Sequence, residues 1–243
     1  MERLVDMEKL IKKLGSISGG KILDVACGRG EFIGILMKVL KDHEKFVGID
    51  FSDKTVKSAQ EHFKDKPVEI IKMNAENMSF ADASFDVVGI QNSLHHMLKL
   101  EKVLDEVKRV LKPKGYFLIC EMHCEEGQTP AQQNHIKIHH WCAEIDTILS
   151  IPHKKTFKRE QIKKIVENLG LTKLHTFEYS YPMENPKDEE FIERLKKTIT
   201  SYVERIKEHK YYERLKAEGE GLKKSLKTFG YAPAASLFFI GNK

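Results

Sequence analysis

Apolar residues recur along the chain in two alternating rhythms: short unbroken runs, and longer stretches with contacts every three or four positions. Lys21–Val25, Lys45–Asp50, Val68–Met73, Phe85–Ile90 and Tyr116–Cys120 are runs of strand length. Such continuous apolar runs suit strands covered on both faces, as in a parallel sheet. Between them, Glu31–Leu40 carries Phe32, Ile35, Leu36 and Val39 on one helical face, and Leu100–Leu111 carries Val103, Leu104, Val107, Val110 and Leu111. Ser52 is placed to cap a helix after the second run. Pro113 and Gly115 end the helix before the fifth.

Beyond residue 120 the rhythm changes. Thr129–Leu149 and Arg159–Leu169 read as helices, Leu171–Tyr181 as a strand, Pro186–Lys227 as a charged helical stretch broken at Gly219 and Gly221, and Ala235–Ile240 as a last strand. The whole predicts an α/β fold: a doubly wound, Rossmann-like sheet of seven mostly parallel strands, with a helical insertion before the last. The 243 residues suit one domain, divided into an amphipathic helix at 1–20, a ligand-binding core at 21–126, a second group of helices at 127–170 and the insertion at 186–227.

Hydrophobic residues make up 41% and charged residues 32%, as in a soluble globular protein. No apolar run approaches the ~20 residues of a membrane span. No apolar block with a cleavage site stands near residue 1, so a cytoplasmic location is expected, and there the four scattered cysteines should be thiols or metal ligands, not disulfides. The net charge of +5 is spread over lysine-rich helices without a basic block, which argues against a nucleic-acid partner.

The first candidate chemistry lies at Lys21-Ile22-Leu23-Asp24-Val25-Ala26-Cys27-Gly28-Arg29-Gly30-Glu31-Phe32, followed by Asp50 at the end of the second strand. A Gly-x-Gly turn after a strand lets backbone approach a ligand closely, and an acid some twenty residues on is placed to accept ribose hydroxyls. A dinucleotide fingerprint needs a third glycine at position 33, where Ile33 stands, and Gly34 comes one residue late. No Gly-Lys-Ser/Thr follows either. An adenosine ligand without a phosphate cradle points to S-adenosylmethionine.

Further motifs agree. Leu23–Gly30, Gly48-Ile49-Asp50-Phe51-Ser52, Asn74-Ala75-Glu76-Asn77-Met78-Ser79-Phe80, Ser84–Val88 leading to Gln91-Asn92-Ser93-Leu94-His95-His96, and Leu111–Tyr116 stand in order. In these motifs the chain resembles the class I S-adenosylmethionine-dependent methyltransferases, in the small-molecule group of the ubiquinone and menaquinone enzymes. The resemblance is dense from Lys21 to Glu121, and Ala26 stands where many members have a glycine. It implies that Ala26, Cys27, Gly28 and Gly30 shape the loop under the methionine moiety. It also implies that Asp50 accepts the ribose hydroxyls, Phe51 lies against the adenine, Asn74 and Ala75 read the adenine edge, and Gln91 faces the methionine side. Asp50 as a helix cap and Asn74 as a turn former are the plain alternatives.

The acceptor should lie beyond the end of the fifth strand, where such sheets open to ligands. If Thr129–Leu149 is a helix, Ile138, Trp141, Ile145 and Ile148 share a face that should bury against the sheet. His135, His139, Cys142 and Asp146 then form a second stripe. In one reading His135 and His139 bind a divalent metal with His123 or Glu121. In another, His135, His139 and His123 contact or deprotonate the acceptor directly. In a third they only hydrogen-bond between helices. The expected function is in-line methyl transfer to a small molecule by a monomer or homodimer. A non-catalytic regulatory protein that binds S-adenosylmethionine or metal, and a nucleic-acid methyltransferase, are the alternatives.

Overall fold

β1 (Ser18–Val25) lies near the middle of a seven-stranded sheet and is fully buried from Ile22 to Val25. This computed structural model describes residues 2–125, 127–181 and 183–243, with side chains from residue 7. β2 (Lys41–Asp50), β3 (Val68–Lys72), β4 (Phe85–Gln91), β5 (Leu111–Met122), β6 (Thr172–Tyr179) and β7 (Ser236–Asn242) complete the order β3-β2-β1-β4-β5-β7-β6. β1 pairs parallel with β2 and β4, β2 with β3, and β4 with β5. The seven expected strands are all present, in a doubly wound order that reverses between β1 and β4. At that reversal, crossovers leave the sheet in opposite directions and a crevice opens outside the strand ends.

Helices α1 (Glu2–Leu14), α2 (Glu31–Val39), α3 (Asp53–His62) and α4 (Leu100–Val110) belong with the first five strands. α2 presses its apolar face onto the sheet where the strands carry glycine. A Cβ on Gly89 would meet Phe32 Cε1 at 2.7 Å, and one on Gly48 would meet Ile33 Cδ1 at 2.8 Å. Phe32, Ile33 and Leu36 therefore reach the sheet and are buried with Ile22, Phe46, Val87 and Leu118. No helix among the described residues is long and apolar enough to cross a membrane.

The remainder is α5 (Pro130–Ile148), α6 (Arg159–Glu167), α7 (Glu189–Glu204) and α8 (Tyr212–Phe229). The chain divides into two compact units. One comprises Met1–Glu121, Ile162–Tyr179 and Leu237–Lys243; the other comprises Met122–Gln161 and Ser180–Ser236. The second unit has its own core. Trp141 and Ile145 of α5 pack with Ile192, Ile199 and Val203 of α7 and with Leu215 and Leu226 of α8, and Trp141 Nε1 donates to Leu215 O at 3.0 Å.

Two expectations are corrected here. The α5 apolar face, expected against the sheet, packs with α7 and α8, because those helices present their own apolar stripes. The 186–227 stretch breaks at 205–211, not at its glycines. Gly219 is instead a packing residue inside α8: its Cβ would lie 3.1 Å from Trp141 Cζ2 and 3.2 Å from Ile199 Cγ2.

Candidate active site

The glycine turn leaves β1 with Ala26 at φ 56°, Gly28 at φ 56° and Gly30 at φ 89°. Left-handed backbone favours glycine, and Ala26 adopts it at some steric cost. Gly30 has no alternative, since a Cβ there would lie 2.1 Å from Phe63 Cε2. Gly28 is different: a Cβ would meet only Glu31 Oε2, at 4.0 Å, so its side of the turn is open.

Asp50 ties this turn to the next strand. Its Oδ2 accepts from Gly28 N at 3.0 Å, and its Oδ1 accepts from Ser52 N at 2.9 Å and from Thr55 Oγ1 at 2.8 Å. Ser52 caps α3, as expected, by accepting from Thr55 N. Asp50 thus holds the turn and the start of α3 together, and the half-buried carboxylate retains lone-pair capacity beyond these bonds. Phe51 beside it is 73% exposed, an apolar ring offered to solvent at the mouth of the crevice.

After β3, Asn74 Oδ1 accepts from Glu76 N at 2.9 Å, so its side chain does form the turn. This loop, which includes Ala75, is braced by Arg109: its guanidinium donates to Phe80 O at 2.7 Å and Met78 O at 2.8 Å, while Glu106 accepts from Met78 N. Gln91, at the end of β4, aims its amide at Cys120 Sγ, 4.0 Å away. Cys27 is buried, and its thiol is pushed far above the ordinary range by burial and by Asp24 and Asp50.

Sequence reasoning gave Asp24 no role of its own. It is 1% exposed, and neither carboxylate oxygen has a hydrogen-bond partner among the described residues. Its register neighbours are Gly48 on β2 and Gly89 on β4, so no flanking side chain meets it. Burial, reinforced by Asp50 and Glu31, raises its pKa well above the carboxylate range. Leaving a buried polar group without a partner costs about 1–3 kcal/mol. A cation in the crevice would supply the missing partner. These features fit a positively charged adenosine ligand: an open glycine turn, an acid at the end of β2, and an orphaned acid behind both.

The acceptor candidates have distinct partners. Glu121 is fully buried and is bound by Leu94 N at 3.0 Å and by His95 Nδ1. In the second unit, His123 Nδ1 lies 3.4 Å from both Glu125 N and Gln128 Nε2. His135 Nδ1 accepts from Ala234 N at 2.9 Å. His139 Nε2 lies 3.1 Å from His153 Nε2, and His153 Nδ1 lies 2.7 Å from Asp146 Oδ2. His153, in a loop where no periodicity points to it, lies beside His139. Loop 149–158 folds back on α5 to place it, with Ile151 N donating to Asp146 O at 2.8 Å.

Burial opposes the Asp146 charge, but hydrogen bonds from Tyr202, His153 and Arg205 outweigh it and hold the carboxyl below its usual range. Burial pushes the Cys142 thiol up to about 12, so it stays protonated at neutral pH. Two clefts are present, neither of them lined by the glycine turn. One of about 460 Å³ is lined by Lys137, Trp141 and Glu218 among others, and one of about 560 Å³ is formed by residues 98–108 and 165–169.

A family model described as a methyltransferase domain matches residues 23–119, the stretch from β1 into β5 that contains the turn, Asp24, Asp50 and the Asn74 loop. Residues 23–119 are thus similar to a methyltransferase domain. The demethylmenaquinone methyltransferase of Lactococcus lactis is 34% identical over 116 residues, covering 46% of each chain. A phthiotriol/phenolphthiotriol dimycocerosates methyltransferase of Mycobacterium ulcerans is 32% identical over 106 residues, 44% of this chain and 39% of that one. The chain thus spans about half, or less, of the length of these curated relatives. A SAM-dependent methyltransferase from Archaeoglobus fulgidus, 19% identical, superposes with a TM-score of 0.55 over all of this chain and 95% of its own, which shows the shared fold. The methyltransferase domain match ends at residue 119, before Glu121 and the histidines of the second unit.

Proposed function

We propose that the chain transfers a methyl group from S-adenosylmethionine to a small-molecule acceptor. The observation that carries this reading is the open glycine turn bonded to Asp50, with the orphaned Asp24 behind it. The donor, when bound, supplies a methyl group on a cationic sulfonium. The work left to the chain is to bind, orient and exclude water, and positioning alone can lower a barrier by ~7–11 kcal/mol.

Ala26, Cys27, Gly28 and Gly30 would shape the floor under the methionine moiety, and Gln91 would flank it. Asp50 would accept the ribose hydroxyls with its remaining lone pairs, and Phe51 would cover the adenine. Ala75, beside the turn that Asn74 makes, would meet the adenine edge through its backbone. Asp24, held protonated in the free chain, would ionise when the donor binds and balance its positive charge. A base is required only where the acceptor atom carries a proton, and His139, His135 and His123 are the candidates. The demethylmenaquinone methyltransferase relative supports an acceptor related to quinones, and the dimycocerosate methyltransferase relative points to a different one.

The test is incubation of methyl-labelled S-adenosylmethionine with the chain and a panel of reduced quinones and other phenolic metabolites. Label should move into an organic product and stay in the donor with Asp50→Ala. Donor binding without transfer to any acceptor would favour a regulatory protein instead.

A further inference from the structure

We infer that His139 and His153 form a binding site for a divalent transition-metal ion, with Asp146 as the residue that positions His153. The site lies within the second unit and does not depend on the methyl-donor reading. Two imidazole Nε2 atoms face each other 3.1 Å apart, with the rings nearly perpendicular at 87°. Metal–nitrogen bonds of about 2.0–2.1 Å, at angles between square and tetrahedral, put two ligand nitrogens about 3.0–3.4 Å apart. The separation of the pair therefore suits two ligands of one ion.

The tautomer is fixed as well. Asp146 Oδ2 lies 2.7 Å from His153 Nδ1, so that nitrogen carries the proton and Nε2 presents its lone pair. A carboxylate behind a ligating histidine orients the ring and raises its basicity, the usual outer-shell arrangement at metal sites. Asp146 is itself anchored: Arg205 donates to its Oδ1 at 2.9 Å and Tyr202 to its Oδ2.

With His153 Nε2 accepting in this contact, the proton between the two rings sits on His139 Nε2. Binding requires that this proton move to His139 Nδ1 or to solvent, after which both Nε2 atoms ligate the ion. Imidazole suits zinc, cobalt, nickel and iron over magnesium or calcium. The neighbouring His140 makes a natural control, because its Nε2 accepts from Thr156 N at 3.2 Å and is held by that bond.

The experiment is a Co²⁺ titration of the untagged full-length chain, followed by visible absorption and calorimetry. One ion per chain is expected, with affinity at least tenfold lower in both His139→Gln and His153→Gln and unchanged in His140→Gln. Far-ultraviolet circular dichroism confirms that each variant is folded. If either glutamine variant fails to fold, proton NMR of the wild-type chain with Zn²⁺ decides the question instead: the His139 and His153 imidazole signals should cease to titrate with pH, and continued titration would count against the site. No Co²⁺ binding at millimolar concentration, or binding by the His139 and His153 variants equal to that of the wild type, would overturn the inference.

Discussion

Asp24 interrupts the buried apolar stretch from Ile22 to Val25 with a carboxyl that no described protein group hydrogen-bonds, and the energetic cost has a measurable consequence. Burial first, then Asp50 and Glu31, raise its folded-state pKa. The folded chain therefore holds a proton that the unfolded chain releases near pH 4. Stability from this group is fully present below that pH and is lost as pH rises through the raised folded value. Asp24→Asn, which cannot ionise, should gain in melting temperature over the wild type as pH increases from about 4. A constant difference across pH in thermal melts would show that Asp24 is not held neutral by its surroundings. Its role is hard to see in sequence. The sequence places an acid in a strand, but only the sheet register reveals that both cross-strand neighbours are Gly48 and Gly89. His153 was hidden for another reason: it sits in a loop, where no periodicity says which helix it folds against.

At the scale of elements, α8 contains two glycines with opposite roles. Gly221 faces open space, so Gly221→Ala should stabilise the chain by about 0.8–1 kcal/mol through helix propensity. Gly219 is pressed against Trp141 and Ile199, so Gly219→Val should destabilise by about 1–3 kcal/mol through overpacking. Urea unfolding followed by Trp141 fluorescence reads both, because this single tryptophan lies in the same core. Two shifts of the same sign would mean that the helix pairing around Gly219 is wrong. Glycines within helical periodicity suggest a break to a reader of sequence, and helix–helix contact is the competing cause that overrides it. The α5 ends, by contrast, were legible. Thr129 and Gln132 form a capping box, and Pro130 sits at the first helical position.

Across the whole molecule, what sequence made legible and what it did not divide along physical lines. The strands of the sheet announced themselves because each is a short apolar run, and the five ordered motifs all fall within or beside residues 23–119. The second unit did not, since periodicity tells which face of α5 is buried but not that α7 and α8 are what bury it. The same division marks the chemistry: the donor side was readable from the glycine turn, whereas the histidine pairs required folded loops to bring them together.

We assign the crevice at the ends of β1 and β2 to S-adenosylmethionine. Calorimetric titration of the donor into the wild-type chain and Asp50→Ala, both checked for intact folding, tests this assignment directly. Charge-assisted hydrogen bonds are worth about 1.5–3 kcal/mol each. One donor molecule per wild-type chain, bound at least tenfold more weakly by Asp50→Ala, is the predicted result. Equal affinity in the two proteins, or no binding to the wild type, would contradict it.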